Sequence, residues 1–235
     1  MNTIENRINE LDLFRGICII GVFFSHLCYD LALFVTIPDY PAIISYLFQY
    51  GGILFIVLSG ICSTLGSNSF RRGCVVLLSA LIITAATYLF SIVSHDTEAV
   101  VRFGILHLLG TCMLLTPLFR NISFRTLPII SVLFIAIGFI FQNTYVEPPY
   151  LFPFGLITAE FSSGDYWPIF PNVGFYCIGI WIGMRFYPEK KPLMPSLQGK
   201  LPVLSWIGRN SLILYLIQQP IIYGVLSALN VIGLI

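Results

Sequence analysis

Of the 235 residues, 57% are hydrophobic and only 10% are charged, far from the roughly 25% charged of a soluble globular domain; this composition excludes a soluble fold and points to a polytopic membrane protein. The net charge of +1 hides an uneven distribution along the chain, and no nucleic-acid partner is expected. The six cysteines, Cys18, Cys28, Cys62, Cys74, Cys112 and Cys177, lie in or beside apolar segments without CxxC or metal-ligand spacing, so they read as small buried hydrophobes and no metal site is expected. Apolar runs near the roughly 20 residues of a bilayer crossing fall at 13–36, 43–66, 73–94, 102–119, 127–142, 168–187 and 203–232. They predict an all-α transmembrane bundle of about seven helices, in a single domain over 1–235.

The first helix carries the chemistry. Asp12, Arg15, His26 and Asp30 interrupt its apolar sequence at spacings of three, eleven and four, which at about 100° per residue places all of them on one face about 60° wide. An ionisable group inside a membrane costs a few kcal/mol, so this stripe is expected to face a protein interior or a wet cavity. Asp30, one turn after His26, can hold the imidazole in one orientation. Asp12 and Arg15, at i and i+3, can equally form a structural ion pair. The run is too long for a signal-peptide core and lacks a small-residue cleavage site, so it is expected to remain in the mature protein.

The loop around Pro38 to Pro41 turns the chain back. Helix two holds Gly51, Gly52, Ser59, Gly60 and Ser63, small residues that permit close helix packing in lipid, contacts with a second copy, or, at Ser59 and Gly60, room for a ligand chain. Helix three reads as scaffold. Helix four places His107 one to two turns inside the membrane, where a histidine either bonds a backbone carbonyl or does chemistry. Helix five is plain. The loop 143–167, rich in proline and aromatics, reads as an interfacial lid and delivers Asp165 and Tyr166 ahead of helix six. A stiff basic linker follows, and the last segment opens with Arg209, Asn210 and Ser211. Its Asn or Ser can cap the helix, and its free N–H groups with Arg209 can bind an anion. Pro220 is expected to kink it.

Eleven of the twelve Lys and Arg residues fall on one side of this topology and only Arg102 on the other, so the positive-inside rule puts the N-terminus in the cytoplasm. The outer loops are acidic. If helices one and four are neighbours, His26, Asp30, His107 and Asp165 converge in the outer half.

The blocks RINELDLFRGICIIGVFFSHLCYDL, FGILHLLG, PFGLITAEFSSGDYWPIFPNVGFYCIGIWIG and GRNSLILYLIQQPI, in this order, resemble the bacterial heparan-alpha-glucosaminide N-acetyltransferase-like family of the transmembrane acyltransferase superfamily. The resemblance implies an enzyme of the bacterial plasma membrane that moves an acetyl group from cytoplasmic acetyl-CoA to a sugar amine or hydroxyl at the outer side. Two departures stand out. Relatives often read HQP where this chain has Gln218, Gln219 and Pro220, and some eukaryotic relatives carry a catalytic histidine in the first outer loop, where Asp39 and Tyr40 stand here.

Acetyl transfer needs a base, donors for the developing oxyanion and cations for the CoA phosphates. His26 oriented by Asp30 is the expected base, with His107 next in line or binding the acceptor beside Asp165 and Tyr166. Arg15, Arg209, Asn210 and Ser211, with Arg71, Arg72, Arg120 and Arg125, are the expected phosphate ligands. Direct transfer and an acetyl-histidine route both fit. The competing readings are a type 3 O-acyltransferase and a non-enzymatic transporter or scaffold for envelope sugars.

Overall fold

The computed structural model describes residues 7–35 and 42–234; the first outer loop, with Asp39 and Tyr40, lies outside them. Among these residues the chain is helical: α1 (Asn9–Phe34), α2 (Ala42–Leu65), α3 (Ser69–Ser94), α4 (Ile105–Arg120), α5 (Leu127–Phe141), α6 (Ile169–Phe186), α7 (Pro202–Arg209) and α8 (Ser211–Val231), with two 3-10 turns at Pro149–Phe154 and Pro195–Leu197. Strand pairing is confined to the isolated bridges Phe103 to Tyr166 and Tyr145 to Ile157.

The last apolar run, expected as one helix, is two. Asn210 leaves helical geometry (φ −99°, ψ 19°), and its backbone N–H and its Nδ2 both donate to the Trp206 carbonyl. That ends α7, and α8 starts afresh at Ser211. Among the described residues four helices have the length and hydropathy to cross a membrane, over Asn9–Ala32, Ser69–Ser94, Ile169–Phe186 and Ser211–Val231, while Ile105–Arg120 and Leu127–Phe141 are shorter apolar helices. At about 1.5 Å per residue, a helix of 15 or 16 residues reaches less far than the roughly 30 Å hydrocarbon core.

The chain divides into two compact units, one from Met1–Phe55 with Glu189–Ile235, the other from Ile56–Pro188. In the first, α1 packs against α7 and α8. The α1 and α8 helices run parallel, because three successive levels of α1 meet three successive levels of α8: His26 meets Tyr215 and Gln218, Asp30 meets Gln219, and Phe34 meets Tyr223. The second unit pairs α3 with α4 and α5 with α6, and α4 also meets α6.

Glycine sets the closest approaches. A Cβ on Gly60 would run into the Tyr176 carbonyl and the Gly179 backbone, so Gly60 serves backbone packing of α2 against α6, and no room is left there for a ligand chain. Valine or leucine there would force the helices apart.

The first helix is polar on its inner face and apolar on its outer one. On α1 Asp12 and Asp30 are buried at 6% and 2% exposure, while Phe14, Ile17, Ile20, Phe23, Phe24 and Tyr29 lie open on the surface. The stripe read from the sequence therefore faces inward, the arrangement lipid demands. Of the cysteines, Cys74 is exposed on the surface of α3 rather than buried.

Candidate functional site

The start of α1 is a polar anchor. Asn9 donates through Nδ2 to the carbonyls of Leu197 and Lys200 and accepts at Oδ1 from Ser205 Oγ, at 2.7, 3.2 and 2.8 Å. Glu10, 1% exposed, accepts the backbone N–H groups of Leu193 and Met194, one on each carboxylate oxygen. These bonds fix the basic linker and the start of α7 to α1. A buried carboxylate holding two amides is strong in both senses: charge-assisted bonds are short, and their loss strands the donors. Glu10→Ala is expected to lower stability by about 2–4 kcal/mol, measured as a fall in melting temperature in detergent. An unchanged melting temperature would remove the linker anchor from this account.

Asp12 pairs with Arg209 (Nε to Oδ2, 3.4 Å) and with Arg7 (3.8 Å), so the i, i+3 ion pair with Arg15 does not form. The reason is α7: Gly208 lies so close to α1 that a Cβ there would meet the Asp12 carbonyl, which brings Arg209 to Asp12. Arg15 is thereby left over. Its guanidinium lies 5.9 Å from the Phe55 ring, and its Nε is buried with no hydrogen-bond partner. The first turn of α8 also lacks a side-chain cap; Asn210 turns back to α7 instead of capping, and Ser211 is buried as the first residue of the helix.

About 16 Å further along α1, at about 1.5 Å per residue, and on the same face as Arg15, lie His26 and Asp30. The expected carboxylate–imidazole contact is replaced by two glutamines. Gln219 Nε2 donates to both Asp30 oxygens, at 3.0 and 2.8 Å, and Gln218 Nε2 lies 3.4 Å from His26 Nδ1. Side chains four apart on one helix share a face, but α8 inserts longer amides between them. Gln219 also faces His26, although its Oε1, buried, makes no bond of normal hydrogen-bond geometry. The Tyr215 ring packs edge-on against the imidazole at 6.2 Å.

His107 and Asp165 belong to the other unit and have other tasks. His107 Nδ1 accepts the Gly104 N–H at 3.2 Å, and its Nε2 meets Thr84 Oγ1 at 3.1 Å. Thr84 spends its one hydroxyl proton on the Val101 carbonyl, at 2.7 Å, so Nε2 is the donor. Both ring nitrogens are thus engaged at the start of α4. Asp165 Oδ2 accepts the Ile105 N–H at 2.9 Å, capping the same helix. Tyr166 donates to the Phe152 carbonyl at 2.7 Å, and burial raises its phenol to about 12, so it remains a donor at neutral pH.

The loop expected as a lid is built into the unit. Phe152, Phe161 and Tyr166 stack on one another, Arg102 lies over Phe161, and Ser163 Oγ bonds both Val100 and Asp165 carbonyls. Arg71 and Arg72 are exposed on α3 in this second unit, Arg72 lying over Gly66.

Sequence reasoning missed Glu10, Gln218 and Gln219 as site-building residues. The two amides are visible in the sequence as a polar pair inside an apolar helix, directly before Pro220.

Helices that turn isoleucine and phenylalanine outward and hold carboxylates, histidines and arginines inward define an integral membrane protein with an internal polar site. The chain belongs to the heparan-alpha-glucosaminide N-acetyltransferase family: residues 7–220 match the model of its catalytic domain. No curated protein and no solved structure matches the chain.

Proposed function

We propose that the protein is a membrane acetyltransferase that moves the acetyl group of acetyl-CoA to a sugar amine or hydroxyl, with the donor entering from the cytoplasm and the acceptor at the outer side. The observation that carries this is the partnerless buried Arg15 Nε on the same face of α1 as His26. A buried guanidinium N–H left without an acceptor is suited to an anion, and the distance from Arg15 to His26 is one that the extended pantetheine arm of CoA can bridge. Arg15, with Arg209 and the uncapped amides of Ser211 and its neighbours, would hold the phosphates.

The thioester supplies an activated acetyl group. The acceptor nitrogen or oxygen forms the new bond to the carbonyl carbon, the C–S bond breaks, the acceptor's proton goes to His26, and the thiolate leaves. Gln218 sets which nitrogen takes that proton: turning its amide end for end places Oε1 against Nδ1–H and leaves Nε2 as the acceptor. His107 and Asp165 are engaged at the start of α4 in the second unit.

The test is acetyl-CoA binding to the purified protein in nanodiscs. Arg15→Ala is expected to weaken it by about tenfold to a hundredfold, the worth of one or two charge-assisted hydrogen bonds. Absence of binding by folded wild-type protein would favour the transport or scaffold reading.

A further inference from the structure

Gln219 has one end of its amide committed and the other open. Nε2 reaches both oxygens of Asp30, a carboxylate 2% exposed for which no cation stands within ion-pairing distance among the described residues. Oε1 is buried on the side that faces His26 and makes no hydrogen bond of normal geometry. An orphaned buried carbonyl costs about 1–3 kcal/mol, and native structures keep few of them. Gln219 cannot relieve it by turning its amide end for end, because that would set a carbonyl oxygen against the carboxylate. Pro220 follows directly inside α8 and has no N–H with which to close the turn.

Position along α1 gives the opening a direction. Arg15 lies eleven residues before His26 and Asp30 four residues after it. If the donor's phosphates sit at Arg15, its arm reaches His26 from that side, and the Asp30–Gln219 level is the side left for the acceptor. The group expected there, an amine or hydroxyl, is a hydrogen-bond donor, which is what a bare carbonyl oxygen lacks.

Resting on the acetyltransferase reading above, we propose that Gln219 is the acceptor-binding residue: Nε2 holds Asp30 in place, and Oε1 accepts a hydrogen bond from the attacking N–H or O–H of an amino sugar, presenting it beside His26. Gln218 orients the imidazole and Gln219 orients the nucleophile, so the paired glutamines divide the work of aligning base and acceptor.

Glucosamine is the probe. Its binding to protein in nanodiscs, followed by saturation-transfer NMR, is compared between wild type and Gln219→Met, which keeps the length of the side chain and removes both polar ends; acetyl-CoA binding is measured on the same samples. The expected result is glucosamine affinity lowered about tenfold, one buried hydrogen bond, with acetyl-CoA affinity unchanged. Gln219→Asn, too short to reach both Asp30 and a ligand, is expected to show the same acceptor-specific loss, and decides the matter by the same readout if the methionine variant does not fold. Equal glucosamine binding by wild type and variant, or none by wild type, overturns the proposal while acetyl-CoA binding leaves the enzyme reading standing. Loss of acetyl-CoA binding in wild type overturns both.

Discussion

Replacing His26 by alanine is expected to lower acetyl transfer by about 10²- to 10⁴-fold, the range a positioned acid–base group contributes, while the protein stays folded and still binds acetyl-CoA. The contacts of the imidazole with α8 are made by side chains, Gln218 Nε2 at 3.4 Å from its Nδ1 and the edge of the Tyr215 ring. His107 gives the contrast. Both of its nitrogens are held by Gly104 and Thr84, so His107→Ala is expected to lower the melting temperature first and activity only in proportion to folded protein. The same pair of variants separates the two chemical routes. A mass gain of one acetyl group on wild type mixed with acetyl-CoA, absent from His26→Ala, marks His26 as a carrier; transfer without that gain marks it as a base. Transfer by His26→Ala at the wild-type rate would remove the residue from the mechanism altogether.

How much of this was legible in the sequence depends on how local the signal was. The α1 stripe was readable because helical periodicity alone puts Asp12, Arg15, His26 and Asp30 on one face, and an apolar segment leaves polar groups one place to go. Their partners were not readable. Whether Asp12 meets Arg15 or Arg209, and whether Asp30 meets His26 or Gln219, is decided by helices α7 and α8, about two hundred residues away in the chain. The break at Asn210 was missed for a different reason: hydropathy runs straight through it, and only the departure of Asn210 from helical dihedral angles ends α7. His107 was ambiguous in principle, since a lone histidine in a membrane helix reads the same whether it caps or catalyses.

Gly208→Val should be the most damaging single change in the unit that carries α1. A Cβ at this position would meet the Asp12 carbonyl, and Gly16 opposes Leu204 in the same way, so α1 and α7 touch backbone to backbone. Overpacking ordinarily costs about 1–3 kcal/mol where side chains can shift; here the obstacle is main chain, and relief requires α7 to move away from α1. That movement carries Arg209, whose side chain is 29% exposed, away from Asp12 and leaves the carboxylate with Arg7 at 3.8 Å, a further loss of about 1 kcal/mol for a partly solvated pair. The expected result is loss of folded protein on extraction, with Gly208→Ala destabilised to a lesser degree and acetyl-CoA binding weakened in whatever folds, because Arg209 and the start of α8 are displaced together. Thermal melting and acetyl-CoA titration on Gly208→Ala check both halves. A variant that melts and binds as wild type does would show that the contact of α7 with α1 is not what positions Arg209 for the donor.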